Sequence, residues 1–130
     1  MTTELTLLAW TLVLALVQIL AFDVARTAQY GTRWNTGARD ADMPPLSPVA
    51  ERLRRAQNNL FETLPLFIAA VLILHVAGIH TARTLLACEL YFWARVVYVP
   101  LYALGVPWLR SLVWVVSFAG LVMLLFAILA

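Results

Sequence analysis

The chain has 130 residues, of which 63% are hydrophobic and 12% are charged, and its formal net charge is +2. Soluble domains are about half apolar and about a quarter charged, so this composition excludes an ordinary soluble protein and indicates a membrane protein. The small net charge excludes a general nucleic-acid surface. One cysteine and two histidines exclude an internal disulfide and give no metal-ligand cluster, so we expect neither a metal nor a nucleic-acid partner.

Four apolar stretches are long enough to cross a bilayer as helices. We predict membrane spans over residues 5–22, 56–77, 84–104 and 111–129. A signal peptide is the rival interpretation of the first stretch, but Glu4 replaces the usual positive charge and no clear small-residue cleavage site follows. Pro65 falls inside the second span, where neighbouring helices can compensate for the lost backbone hydrogen bond.

Residues 23–55 are predicted to form a polar loop between the first two spans. Glycines and prolines in its middle argue against a helix there, namely Gly31, Gly37, Pro44, Pro45 and Pro48. Ser47 directly precedes Pro48, and this order is typical of an N-cap followed by the first helical residue. The second helix is therefore expected to begin close to Pro48.

The other two connections are short turns, predicted at residues 78–83 and 105–107. Short turns make successive helices antiparallel, so we predict an all-α fold, one antiparallel four-helix transmembrane bundle. Six arginines lie in the first connection, Arg110 lies in the third, and the second holds only Arg83. The positive-inside rule then places the first and third connections in the cytoplasm and both termini outside.

A polar stripe enters the second span. Arg52, Arg55, Asn59 and Glu62 follow one another at steps of three, four and three residues, and so share one helix face. Lipid does not accept a carboxylate and an amide without partners. Under the predicted topology Glu62 lies about 10 Å and Arg95 about 13 Å from the cytoplasmic side, so we predict that the two form a pair.

Further polar groups are expected at the same depth. Tyr98 and Tyr102 follow Arg95 by three and seven residues and lie on its helix face. Arg110 and Ser111 open the fourth span on the same side of the membrane. We therefore predict that arginine, amide, carboxylate, tyrosine and hydroxyl groups line one cavity on the cytoplasmic side.

Each of these residues also has a purely structural interpretation. Arginines next to a span anchor its topology and contact lipid phosphates, and tyrosines collect near headgroups. A pair of Glu62 with Arg95 would also hold two helices together without any ligand. Ser111 could be no more than a helix cap. Convergence of many such groups at one depth is what favours a binding site.

Two segments and one dipeptide resemble a known family. Residues 55–62, RAQNNLFE, are similar to the RAxxNxxE signature of the MAPEG family, the membrane-associated proteins in eicosanoid and glutathione metabolism. Residues 95–102, RVVYVPLY, resemble that family's RxxYxxxY-type segment, and Arg110-Ser111 resembles the pair that opens the fourth helix in its prostaglandin E synthase branch. The chain resembles the bacterial branch of the family over nearly its whole length.

The resemblance implies a homotrimer that binds glutathione, as a co-substrate, between neighbouring chains. It implies that the tripeptide is held by Arg55, Asn59, Glu62, Arg95, Tyr98 and Tyr102, with Arg52 of the same stripe beside them. It also implies that Arg110, with Ser111, stabilises the thiolate. A basic residue at the end of the first span would contact glutathione too, either Arg26 or Arg33. Trp114 replaces a tyrosine of the prostaglandin synthases, so their isomerase chemistry is not expected.

The resulting functional hypothesis is a membrane-bound glutathione-dependent transferase of a bacterial inner membrane. Its apolar substrate would arrive from the bilayer lipids, and the reaction would be conjugation to an electrophile or reduction of a lipid hydroperoxide. A non-catalytic lipid- or peptide-binding membrane protein of the same fold is the alternative. A small exporter fits less well, because its carboxylate would stand in mid-bilayer without an arginine mate, whereas Glu62 has Arg95 within predicted reach.

Overall fold

The computed structural model describes residues 1–130 as a chain of helices without strands. The helices are α1 (Thr3–Tyr30), α2 (Thr32–Thr36), α3 (Pro48–Val76), α4 (Ala82–Ala103) and α5 (Pro107–Leu129). Four of them, all but the short α2, are long and apolar enough to cross a membrane. The predicted all-α architecture with four long apolar helices is confirmed.

The first connection differs from the prediction. Residues 23–55 were predicted to form a polar loop, but α1 continues to Tyr30 and the short α2 follows it, whereas α3 begins at Pro48 as Ser47 and Pro48 predict. The loop was predicted from polarity and from its glycines and prolines; polarity alone does not end a helix, so α1 continues as far as Gly31, the first of those glycines. Irregular backbone is confined to the glycine- and proline-rich segment that leads to Ser47.

Local signals fix the other helix ends where the sequence predicts them. The Ser47 hydroxyl accepts a hydrogen bond from the backbone N–H of Ala50 at 3.2 Å, with Pro48 as the first helical residue. Gly78 and Gly105 have φ values of 70° and 73°, in the left-handed region that glycine tolerates best. Both turns are therefore tight, and they bring α3 against α4 and α4 against α5.

The bundle is built around its two middle helices. Helices α3 and α4 each contact α1, α5 and one another, whereas α1 and α5 do not touch. In the core, the rings of Phe67 and Tyr91 stack with centroids 4.0 Å apart. The Tyr91 hydroxyl also shares a hydrogen bond of 2.8 Å with the Thr63 hydroxyl, so this buried tyrosine ties α4 to α3 by both packing and polarity.

At the end of the bundle where α4 begins, a carboxylate joins α1 to α4. The Thr84 hydroxyl donates to Glu4 Oε1 at 3.1 Å, and His80 Nδ1 lies 3.9 Å from the same oxygen. At the opposite end, Gln29 of α1 donates to the Pro45 carbonyl and accepts from the Ser47 N–H. These contacts make α1 antiparallel to α3 and parallel to α4.

The outer surface of the bundle is apolar. Large hydrophobic side chains of all four long helices point outward, including Trp10, Leu16, Leu66, Trp93, Leu112 and Phe126. So much exposed apolar surface is rare on a soluble monomer. Lipid is the solvent that this surface requires, and the chain is a multi-pass membrane protein.

Helix α5 packs closely on α4 because Gly120 has no side chain. A Cβ placed on Gly120 would lie 2.6 Å from the Ala87 carbonyl oxygen and 3.0 Å from the Tyr91 backbone nitrogen. Both atoms belong to the backbone of α4 and cannot move away unless the helix itself shifts. Small residues permit this kind of helix approach in membranes, where packing rather than water drives association.

The Gly120→Ala variant should therefore be less stable. The added methyl group forces α5 away from α4, at a cost of about 1–3 kcal/mol, which is typical of overpacking. Thermal unfolding in detergent would show a lower midpoint. Ala119→Val adds bulk on the exposed neighbouring position and should leave the midpoint close to that of the parent. Equal midpoints for Gly120→Ala and the parent would mean that the helices are not in this contact.

Candidate functional site

The guanidinium of Arg95 lies inside the bundle. The residue is only 1% exposed, Nη1 donates to Asn59 Oδ1 of α3 at 2.8 Å, and Cζ lies 4.3 Å from the centroid of the Tyr98 ring. A buried charge is tolerated only where hydrogen bonds and nearby electron density replace water. An amide from α3 and a ring from α4 supply part of this replacement, while Nε and Nη2 of the guanidinium have no hydrogen-bond partner.

The predicted pair of Glu62 with Arg95 is not formed within the chain. Glu62 is exposed and has no ion-pair partner, and the interhelical partner of Arg95 is Asn59. Glu62 follows Asn59 by three positions, which turns their side chains about 60° apart around α3. Asn59 contacts Arg95 of α4, whereas Glu62, turned by that angle, is exposed. Asn59 and Glu62 lie at similar depth along α3. The rotation of α3 determines that Asn59, and not Glu62, contacts Arg95.

The two tyrosines continue outward from Arg95. Their rings meet edge to face with centroids 5.5 Å apart. Two further cations lie near the Tyr102 ring, with Arg110 Cζ of α5 at 4.7 Å and Arg55 Cζ of α3 at 5.8 Å from its centroid. Both distances fall within the range of cation–π attraction. Residues from three helices thus gather around one aromatic ring, and we call Arg55, Asn59, Arg95, Tyr98, Tyr102 and Arg110 the arginine–tyrosine cluster.

Arg52 lies at the edge of this cluster with a structural contact of its own. Its Nη1 donates to the carbonyl oxygen of Ala103 at 3.4 Å, and a Cβ on Gly105 would lie 3.1 Å from its Cζ. The carbonyl at the end of a helix is a favourable position for a cation. Arg52 therefore binds the turn between α4 and α5, and glycine at position 105 leaves room for it.

Ser111 does not join the cluster. Its hydroxyl is exposed and donates to the Pro107 carbonyl of its own helix at 3.3 Å. Consecutive helical residues point about 100° apart, so the side chain that follows Arg110 faces a different direction. The predicted convergence of the serine with the arginine is thus absent within one chain.

Of the two basic residues considered at the end of the first span, Arg26 is held against the bundle. It forms an ion pair of 2.9 Å with Asp23, and its Cζ lies 4.9 Å from the Phe22 ring and 5.4 Å from the Trp34 ring. Arg33 is exposed on α2. Neither residue contacts the arginine–tyrosine cluster.

The larger grooves of the molecule lie away from the cluster. One of about 400 Å³ runs between α4 and α5 and is lined by apolar residues and Glu89. The cluster instead opens on the surface of the bundle, where Arg55 is exposed and Asn59, Tyr102 and Arg110 are half-buried. Within one chain the exposed part of the cluster forms an open polar surface, whereas the prediction was a cavity.

The fold and this cluster define a class, an integral-membrane four-helix bundle with arginines and tyrosines collected at one end. The model of the MAPEG family matches residues 7–130, which include every residue of the cluster, and the chain belongs to that family. It is therefore a membrane protein of the glutathione and eicosanoid metabolism family. No curated protein matches the chain.

The contact of Asn59 with Arg95 predicts a coupled pair of residues. Asn59→Leu leaves the buried guanidinium without its hydrogen-bond acceptor and should lower the free energy of unfolding by about 2 kcal/mol. In the double variant with Arg95→Met this loss should largely disappear, because the charge that needs the acceptor is gone. A double-mutant cycle of unfolding in detergent measures the coupling.

Glu62→Gln is the matched control for this cycle. It changes the next polar residue on α3 without touching the observed contact, so its effect should add to that of Arg95→Met. Stronger coupling of Arg95 to Glu62 than to Asn59 would contradict the geometry.

Proposed function

We propose that this protein is a membrane-bound glutathione-dependent transferase that joins glutathione to an apolar electrophile or reduces a lipid hydroperoxide. One observation carries the proposal: Arg55 and Arg110 both lie against the Tyr102 ring, and Tyr98 connects this ring to the pair formed by Asn59 and Arg95. Membership of the MAPEG family supports the same conclusion.

The cluster carries the groups that glutathione requires. The tripeptide has two carboxylates, which arginines bind best, and Arg55 and Arg95 are the candidates. Its ammonium needs a carboxylate, and Glu62 is exposed without an ion-pair partner one turn from Asn59. Tyr98 and Tyr102 offer ring faces and hydroxyls between these charges, with Arg52 at the edge of the site.

Assembly as a homotrimer would give the exposed polar residues of the site a role in ligand binding. Arg55 and Glu62 are exposed within one chain, and a binding site between two neighbouring chains would enclose them together with the ligand. In such a site, helices of the neighbouring chain would also contact Ser111 and Arg33, which make no contact with the cluster of their own chain. The family resemblance implies the same assembly.

Arg110 is the group that we assign to the sulfur. A free thiol with a pKa of about 8.5 is only a few per cent thiolate at neutral pH. A nearby guanidinium stabilises the charged form, and it continues to stabilise charge on sulfur until the new bond forms. In conjugation the thiolate displaces a leaving group or adds to a double bond. In peroxide reduction the thiolate attacks one peroxide oxygen, the O–O bond breaks, and the released alkoxide takes up a proton to become an alcohol. The sulfenic acid left on the first glutathione then reacts with a second glutathione, which gives the disulfide and water.

The second substrate would come from the bilayer. The outer faces of all the long helices are apolar, and the bundle has no large polar groove for a hydrophilic partner near the cluster. An apolar molecule dissolved in lipid can approach along these faces and reach the sulfur where the cluster meets the membrane boundary. This arrangement separates a water-soluble thiol donor from a lipid-soluble acceptor.

We place the cluster at the cytoplasmic side of a bacterial inner membrane, with both termini outside, because the first and third connections carry most of the arginines. Cysteine labelling tests this topology. Cys88 is fully buried and can be replaced by alanine. In that background, a cysteine at Gly37 should resist a membrane-impermeant thiol reagent in intact cells and react after permeabilisation.

A cysteine at Ala77, the exposed residue at the end of α3, is the matched position on the other side, and its φ of −75° suits cysteine. It should react with the same reagent in intact cells. If the position-37 cysteine reacts from outside and the position-77 cysteine does not, the topology is inverted and the cluster is not cytoplasmic.

The role of Arg110 predicts a defect in the chemical step. Arg110→Ala should lower kcat for conjugation on the order of 10²-fold, the scale for loss of one preorganised electrostatic group. Glutathione binding should fall much less, since the other arginines of the cluster remain. Steady-state kinetics with a chromogenic electrophile separates kcat from KM.

Arg54→Ala removes an exposed arginine that is paired with Glu51 and should leave turnover unchanged. If Arg110→Ala retains full turnover in a correctly assembled protein, Arg110 is only a helix anchor, and the non-catalytic alternative, a lipid- or peptide-binding protein, becomes the better account.

A further inference from the structure

Gln18 is a buried amide in the middle of α1 that has no partner. The residue is 3% exposed, and neither Oε1 nor Nε2 makes a hydrogen bond. A buried amide without hydrogen bonds costs several kcal/mol in an apolar environment, and polar residues inside membrane helices usually mark a function. Packing alone does not explain Gln18, because methionine or leucine would fill the same space.

Arg95 carries the complementary groups. Only Nη1 is hydrogen-bonded, to Asn59, whereas the buried Nε and Nη2 atoms have no partner. Both are N–H donors, and arginine has no acceptor with which to satisfy them internally. An amide oxygen such as that of Gln18 is the type of acceptor that they lack.

The register of α1 and α4 places the two residues at nearly the same height. The contact of Glu4 with Thr84 marks equal heights on these parallel helices. Gln18 lies about 21 Å beyond Glu4, and Arg95 lies about 17 Å beyond Thr84, at 1.5 Å per residue. The remaining offset of about 4–5 Å is one that two long side chains can span.

Their directions agree as well. From Glu4 to Gln18 the helix makes almost four full turns, and from Thr84 to Arg95 it makes slightly more than three. Gln18 therefore points to the same side of α1 as Glu4, within about 40°, and Arg95 to the same side of α4 as Thr84, within about 20°. Because Glu4 and Thr84 face one another, Gln18 and Arg95 face the same interface.

We propose that Gln18 is a positioning residue for Arg95. One ordered water accepts a hydrogen bond from the Nε–H or Nη2–H group of Arg95 and donates one to Gln18 Oε1. The guanidinium is then fixed from two sides, by Asn59 of α3 and by Gln18 of α1. Its remaining N–H groups are directed to the ligand, so α1 shapes a cluster whose residues all lie on α3, α4 and α5.

The effect on catalysis rests on the proposed function, but the contact itself can be measured without any ligand. In the parent protein, the Arg95 Nε–H should exchange slowly with solvent in ¹⁵N NMR spectra, where its signal is identified by its loss in Arg95→Lys. Gln18→Met keeps the length of the side chain and removes the acceptor. It should accelerate this exchange by about tenfold or more, the factor expected for one hydrogen bond to a charged group.

Two further variants make the result specific. Thr11→Val removes a buried polar group from the same stripe of α1, but the Thr11 hydroxyl is already bonded to the Leu7 carbonyl, so Arg95 should not respond. Gln18→Glu keeps an acceptor and should restore slow exchange. Unchanged exchange in Gln18→Met would overturn the proposal, as would equal acceleration by Thr11→Val.

The kinetic arm separates this proposal from the proposed function. If the protein is a glutathione transferase, Gln18→Met should raise KM for glutathione about tenfold and change kcat little, because Arg95 holds the tripeptide and not the sulfur. Gln18→Glu should restore KM. If the parent protein binds no glutathione but Gln18→Met still releases the Arg95 Nε–H, the positioning role stands and the transferase function fails.

Discussion

The fold of this protein depends on a positive charge inside the membrane. Arg95 is buried in the bundle, where its guanidinium needs partners from the helices around it. Asn59 of α3 supplies one hydrogen bond and Tyr98 of α4 a ring face. Tyr102 lies further out than Tyr98, and its ring is close to Arg55 and Arg110 at the surface end of the cluster. The cluster thus extends from a buried arginine to more exposed ones and is built on three helices. The buried charge helps to hold these helices in register.

Features that follow from the geometry of one helix were predictable. Spans follow from hydropathy, the start of α3 follows from Ser47 and Pro48, and the turns follow from their glycines. Residues three and seven positions after Arg95 had to lie on its face, and the tyrosine rings do so. These predictions needed no knowledge of how one helix is rotated against another, and that is why they were correct.

Contacts between helices were not predictable in the same way. The interhelical partner of Arg95 is Asn59 and not Glu62, because a rotation of about 60° separates two residues at similar depth. The position of Arg52 against the turn after α4 was not predictable from the sequence either. Gln18 was overlooked, although an amide within an apolar run was a visible signal. Whether a second chain completes the site stays a prediction, since it depends on surfaces that only assembly brings together.

The central claim is that the cluster binds glutathione and ionises its thiol. Stopped-flow measurement of thiolate absorbance, on mixing the purified protein with glutathione at neutral pH, tests it most directly. The account predicts an absorbance rise that saturates with glutathione concentration and is absent with S-methylglutathione, which binds but has no proton to lose. Saturable binding of glutathione without any rise would contradict the thiolate role, and no binding at all would contradict the assignment of the cluster as a glutathione site.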